Sequence, residues 1–244
     1  MRQPRTQLLA LAAAVMLSLS ACTFAAAVGN PKTAGSSSTT SVAATAPTAA
    51  SLYQLMRKSG AAAQSVHVKG DYTDKGQPLQ LDVAGDRAGA SMRLVVNFGS
   101  GAIKILKVNA DFYLNANATF WTRLSSAAAA KVAAGRYVKV PPGSAAGMGD
   151  FRVGTLLDEV FADDMVAVDK LNTRVQTSGV AGVPAYLLTA KLDGDVKIYV
   201  SADGKARLLR IEGAKSGTLE FSEWDSVAPT SAPPVDQRAQ TPNS

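Results

Sequence analysis

Ser91-Met92-Arg93-Leu94-Val95-Val96-Asn97-Phe98-Gly99-Ser100-Gly101-Ala102-Ile103-Lys104-Ile105-Leu106-Lys107-Val108-Asn109-Ala110-Asp111-Phe112-Tyr113-Leu114 decides the fold. Met92, Leu94, Val96 and Phe98 alternate with other positions, and Gly99-Ser100-Gly101 then turns the chain. Ile103 and Ile105 follow, and Asn109-Ala110-Asp111 turns into Phe112 and Leu114. A period of two marks half-buried strands, and turns at such close spacing leave room only for antiparallel neighbours.

The same pattern extends upstream. Val66, Val68 and Tyr72 alternate before the turn Asp74-Lys75-Gly76, and Leu79, Leu81 and Val83 alternate before a turn over Asp86 to Gly89. Ahead of them, Ser51 and Gln54 have capping-box spacing, and Leu52, Leu55 and Met56 share a helical face. That helix is expected to begin at Ser51 and end near Ala63.

Downstream the period changes. Thr119 to Ala134 is Ala-rich and carries Phe120, Trp121, Leu124 and Val132, which predicts one helix capped by Asn117 or Thr119 and closed by Gly135. Arg136 to Val140 is a short strand stopped by Pro141-Pro142-Gly143, and a loop rich in small residues runs to Gly149. Asp150 is the expected cap of a second helix bearing Val153, Leu156, Leu157, Val160 and Phe161. Strands resume over Thr173–Ser178, Pro184–Leu192, Val196–Ser201, Arg207–Gly213 and Thr218–Trp224. The expected class is α+β: a curved antiparallel half-barrel of about ten or eleven strands, with helices over its concave face.

The ends read differently. Arg2 and Arg5 precede an apolar run from Leu8 to Leu19, which is shorter than the ~20 residues a spanning helix needs. The run ends in Leu19-Ser20-Ala21-Cys22, and Cys22 is the sole cysteine. This reads as a lipobox: residues 1–21 form a secretory leader, and Cys22 takes a lipid on sulfur. An ordinary leader with a chance cysteine is the competing reading. Residues 22–50, rich in Ala, Ser and Thr, cannot bury enough surface to offset chain entropy and read as a lipidated cysteine followed by a tether. The folded domain is expected over residues 51–228. The Pro-rich segment 229–244 is expected to be disordered.

Charge excludes one class of partner. Removing residues 1–21 takes away Arg2 and Arg5 and no acidic residue, so the formal charge falls from +6 to +4. Basic and acidic residues interleave, without the basic block of a nucleic-acid-binding arm. With the one cysteine committed to lipid, the domain has no disulfide and depends on its core.

Several runs together resemble the LppX/LprG-type lipoproteins of mycobacteria and their LolA/LolB-like relatives. They are Cys22 in its lipobox, the helix leading into Ser65-Val66-His67-Val68, Phe112-Tyr113-Leu114 followed by Phe120-Trp121, and Gly135-Arg136-Tyr137-Val138-Lys139-Val140. Tyr137 stands where tryptophan is common in that family, and Arg136 where lysine is common. The resemblance implies a helix-covered half-barrel with an apolar cavity for acyl chains. The strand residues expected to line it are Leu81, Val83, Leu94, Val96, Phe112, Leu114, Leu187 and Ile198. From the helices come Phe120, Trp121, Leu156, Leu157, Val160 and Phe161, with Phe151 a further aromatic candidate. The same residues could equally fill a plain core.

Catalytic patterns are sparse. His67 is the only histidine and falls within a strand pattern, where an outward-facing structural role is expected. Asp158, Glu159, Asp163 and Asp164 read as a solvated helix surface, and Asp193, Asp195 and Asp203 as turn residues. No metal, cofactor or enzymatic activity is expected. Two function classes remain: a membrane-anchored, monomeric carrier of a lipid or lipoglycan on the extracytoplasmic face, and an anchored interaction module binding an envelope protein such as a sensor. A cell-wall hydrolase lacks candidate groups.

Overall fold

A computed structural model describes residues 47–74, 77–99, 101–141, 152–161, 171–172, 175–192, 194–213 and 217–239. Cys22, the leader and the tether as far as residue 46 lie outside the described residues, as do Asp150, Phe151, Asp163, Asp164 and Asp193.

Helix α1 spans Ala49–Ala62 and leads into a meander of β1 (Ser65–Asp74), β2 (Gln77–Asp86), β3 (Ser91–Phe98), β4 (Gly101–Val108) and β5 (Asp111–Ala116). Helices α2 (Ala118–Leu124) and α3 (Ala127–Ala133) precede the short β6 (Tyr137–Val140), and α4 spans Val153–Val160. A second meander follows: β7 (Gln176–Val180), β8 (Val183–Leu192), β9 (Gly194–Ser201), β10 (Leu208–Gly213) and β11 (Gly217–Ser222).

All eleven strands form one antiparallel sheet, in the order β6-β5-β4-β3-β2-β1-β11-β10-β9-β8-β7. Each meander is sequential, and the first and last strands join them at the centre, with His67 opposite Ser222 and Val68 opposite Phe221. The strands on either side of α4, β6 and β7, therefore stand at the two edges of the sheet. The chain between them must travel from one edge to the other, and α4 packs midway, against α1 and β2.

Both helical covers lie on one face, called here the inner face. The central cluster joins Leu52, Tyr53 and Met56 of α1 and Val153 and Leu157 of α4 to Val66, Val68, Val83, Leu94, Ile198, Val200 and Phe221 of the sheet. The C-terminal end of α4 is fixed on α1. A side-chain carbon at Gly60 would collide with the Phe161 ring, and Arg57 donates two hydrogen bonds of 3.3 Å to the Phe161 carbonyl. A smaller cluster lies under α2 and α3: Leu114, Ala116, Trp121, Ala130 and Ala133. On the outer face, Val180, Ala185 and Tyr199 form a third group.

Several local expectations are corrected. The first helix starts at Ala49 with Thr48 as its cap, the Ser51 N–H donating to Thr48 Oγ1 at 3.2 Å. Threonine reaches the same orphan donor from three residues back, so the Ser51 pattern sits inside the helix. The Ala-rich helix is two helices. Asn117 caps α2, and the chain breaks at Ser125-Ser126 because Ser126 caps α3, its Oγ accepting from the Ala129 N–H at 3.1 Å. Helix α4 has Arg152 at its cap position, without a side-chain cap bond.

The Pro-rich end is the largest departure. Residues 229–239 are laid against the outer face of the first meander. The Thr230 N–H donates to Ser91 Oγ at 2.5 Å, the Ala239 N–H donates to the Tyr137 carbonyl at 2.8 Å, and the Arg238 guanidinium lies 5.4 Å from the Tyr113 ring centroid. Pro233 is buried, and a single 3-10 turn covers Val235–Gln237. Prolines make such a strap inexpensive to order, since the extended chain has few other states to lose.

Candidate functional site

Strand register converts the sequence alternation into rows of side chains across the inner face. Leu79, Phe98 and Gly101 form the first row, and Leu81, Val96, Ile103 and Ala116 the second. Val83, Leu94, Ile105, Leu114 and Val138 form the third, and Gly85, Met92, Lys107, Phe112 and Val140 the fourth.

The rows differ in cover. Leu81, Val96 and Ile105 are half-buried at the margin of the central cluster, together with Leu156 and Val160 of α4. Ile103, Ile105, Phe120, Val138 and Val140 are half-buried at the margin of the smaller cluster, so Ile105 packs against both. This strip of half-buried apolar side chains across β2–β5, between the α1/α4 cover and the α2/α3 cover, is called here the trough. Six residues of β4 separate the first and fourth rows, about 20 Å at ~3.3 Å per residue. That exceeds half of the ~30 Å hydrocarbon core of a bilayer, the span of one leaflet's acyl chains.

The two ends of the trough differ chemically. At the first row a surface cavity of about 520 Å³ opens around the strand ends, lined by Tyr72, Leu79 and Phe98 of the inner face and by Asp71, Gln80 and Asn97 of the outer face. At the fourth row Lys107, only 8% exposed, places Nζ 5.2 Å from the Phe112 ring centroid. Trp121 is buried on α2 with its ring edge-on to Phe120 at 5.7 Å, and its indole N–H has no hydrogen-bond acceptor among the described residues.

The residues expected to line a cavity divide into groups. Val83, Leu94, Leu157, Phe161 and Ile198 are enclosed in the central cluster. Leu114 and Trp121 are enclosed under α2 and α3, and Phe112 is buried beside Lys107. Leu81, Val96, Leu156, Val160 and Phe120 keep apolar surface along the trough. Leu187 is corrected: it pairs with Tyr199 on the outer face and packs on the third cluster, while Leu188 is the inner-face partner of Ile198. A Leu-Leu pair gives no alternation, so the parity had slipped by one residue. Lys107 shares the parity of Ile103 and Ile105, which places it on the inner face.

His67 occupies the outer face and is buried there. Its Nδ1 lies 2.8 Å from Glu223 Oε1 and its Nε2 2.7 Å from Asp82 Oδ1, which braces β1 against β2 and the segment after β11. Ion pairs also line the outer face. Arg210 bridges Glu212 at 3.2 Å and Glu220 at 2.6 Å. Burial pushes the Glu212 carboxyl up, but hydrogen bonds from Arg210, Lys197 and Tyr199 outweigh it and hold the group below its ordinary range. Asp158 and Glu159 are exposed, and Asp158 pairs with Arg87 at 2.5 Å. Among the described residues no three His, Cys, Asp or Glu side chains converge as metal ligands, and no helix is long and apolar enough to cross a membrane.

No family model matches the chain. No curated protein sequence matches it either. Solved structures similar to it include MucB in complex with MucA(peri), at 14% identity and TM-score 0.31 over 79% of this chain and 62% of that one. LprF from Mycobacterium bovis is similar at 14% identity and TM-score 0.49, covering 76% of this chain and 95% of that one. Mycobacterium tuberculosis lipoprotein LppX is similar at 14% identity and TM-score 0.40, covering 73% and 96%. All three likenesses lie at 14% identity and at TM-scores below 0.5.

Proposed function

We propose that this protein is an extracytoplasmic lipoprotein, anchored through Cys22, whose inner-face trough holds the acyl chain of a lipid or lipoglycan without chemical change. The observation that carries this reading is the contiguous strip of half-buried apolar side chains, Leu81, Val96, Ile103 and Ile105, left between two helical covers. An acyl chain there gains ~0.8 kcal/mol per methylene relative to water. It leaves a bilayer that is equally apolar, so loading and release stay close to balance, as carriage through an envelope requires. The lipid on Cys22 keeps the domain near its membrane, and the tether gives it reach.

The test is native mass spectrometry of the chain purified from an actinobacterial envelope. A bound mass that organic solvent releases as lipid is expected. It should be lost in Val96→Trp and Leu156→Trp, which fill the trough, and kept in Leu187→Trp on the outer face. Wild-type protein that stays bare after incubation with envelope lipids would sink the reading. Metabolic labelling with palmitate, abolished by Cys22→Ser, tests the anchor separately.

A further inference from the structure

We infer that the α2–α3 hairpin is a membrane-contact surface, which lays its exposed apolar side chains into an anionic bilayer at the border of the trough. The contact goes beyond the carrier reading and needs no ligand in the trough.

The large apolar side chains exposed among the described residues are Leu55, Leu124, Val132, Val183 and Val235. The first three lie on helices that cover the inner face: Leu55 on α1, Leu124 at the end of α2 and Val132 on α3. Leu124 is 57% exposed and Val132 47%. Ser125 to Ala128, between them, are exposed as well and hold only small uncharged side chains. With seven residues each, α2 and α3 are far too short to cross a bilayer, so they can only lie on one. Single exposed apolar residues are ordinary on a protein surface. The charge around these is what assigns a partner.

From Phe112 to Gly149 the sequence has no acidic residue, and its basic residues are Arg123, Lys131, Arg136 and Lys139. Lys139 pairs with Asp111 at 2.9 Å, and Arg136 donates to the Asp236 and Arg238 carbonyls. Arg123 and Lys131 are exposed and form no ion pair among the described residues. Each adjoins an exposed apolar side chain in sequence, Arg123 beside Leu124 and Lys131 beside Val132. Such a pairing suits a bilayer interface. The apolar group and the aliphatic stem enter among the upper acyl chains, while the charge stays with the lipid phosphates. The signature continues on α1, where Lys58 is exposed one turn from Leu55, and Asp71 is the first acidic residue of the chain. Among helices α1 to α4 only α4 carries carboxylates, Asp158 and Glu159, and Asp158 is held by Arg87. The outer face differs, because its cations are paired within it: Lys69 with Asp82, Lys197 with Glu212, and Arg210 with Glu212 and Glu220. Ile103, Ile105 and Phe120 pack beneath the hairpin. Seating it on a bilayer therefore brings the border of the trough to the acyl layer and spares a lipid chain a passage through water.

The test is co-sedimentation of the mature chain, residues 22–244 with Cys22→Ser so that no covalent lipid anchors it, with sucrose-loaded vesicles. Vesicles of mixed phosphatidylglycerol and phosphatidylcholine are compared with phosphatidylcholine alone. The anionic vesicles should be bound more tightly, and Arg123→Gln and Lys131→Gln should each lower that binding about fivefold, the worth of one cation near an anionic leaflet. Leu124→Ser and Val132→Ser should each lower it by a similar factor of about five, for half-exposed side chains that leave water. Leu124→Trp should keep binding and shift its emission to the blue on anionic vesicles. Lys104→Gln removes the same charge from the outer face and should change nothing. All these side chains are exposed, so melting temperatures should match the parent. Binding that is absent, equal on both vesicles, or lowered as much by Lys104→Gln as by Arg123→Gln overturns the inference. So does full binding by Leu124→Ser combined with Val132→Ser, because nothing then enters the bilayer. Capture of polyglutamate through Arg123 and Lys131, without vesicle binding, would overturn it in favour of an acidic protein partner. None of these outcomes alters the bound mass by which the carrier reading is tested, so the two stand or fall separately.

Discussion

The two halves of the inner face use similar side chains to different ends. Under α1 and α4, Tyr53, Met56, Leu157, Leu188 and Ile198 are wholly enclosed. Over β2–β5 the row residues Leu81, Val96, Ile103 and Ile105 are half-covered, and the Trp121 N–H has no acceptor among the described residues. The contrast separates a wholly enclosed region from one whose apolar side chains keep part of their surface exposed.

The largest effect should come from emptying the enclosed half. Leu157→Ala is expected to cost about 2–5 kcal/mol, as for other wholly buried leucines. Ile105→Ala should cost only about 1 kcal/mol, since a half-buried side chain forfeits part of its transfer energy and leaves no closed cavity. Urea unfolding of both variants breaks the comparison if the two losses are equal. Next comes Gly60→Ala, where the new carbon meets the Phe161 ring and must push α4 off α1. About 1–3 kcal/mol is expected from overpacking, less the ~1 kcal/mol that alanine returns to a helix. A neutral result would mean that α4 is only loosely seated, and the distinction between the halves would shrink.

The smallest effect belongs to the outer face. Glu212 has a carboxyl held below its ordinary range, so its contribution is complete above that range and is lost as pH falls through the folded-state value. The loss should stay under about 1 kcal/mol, because solvent screens the ion pairs. Unfolding midpoints compared at neutral and acidic pH should show a shallower slope in Glu212→Gln. An unchanged slope would mean that the Arg210 network adds nothing to stability.

Much of this was legible in the chain itself. Alternation placed Leu94, Val96, Ile103 and Ile105 on one face, because one-sided burial writes a period of two into a strand. Composition misled where contacts decide: the Pro-rich end is held by Ser91, Tyr113 and Tyr137, none of them near it in sequence. Ser125-Ser126 broke a helix that alanine content favoured, because a serine at a cap competes with continuing the helix. The trough was legible only in part. Which apolar side chains are covered depends on where α2 and α4 land, and no local pattern records that.

The order of strands also sets a schedule for folding. Neighbours within each meander are local in sequence and can pair early, but β1 must wait for β11, whose pairing joins residue 67 to residue 222. As the chain emerges in order, the first meander is held with the long edge of β1 bare until nearly all of the protein has arrived. That edge, rather than either final edge, is where premature pairing with another chain would begin.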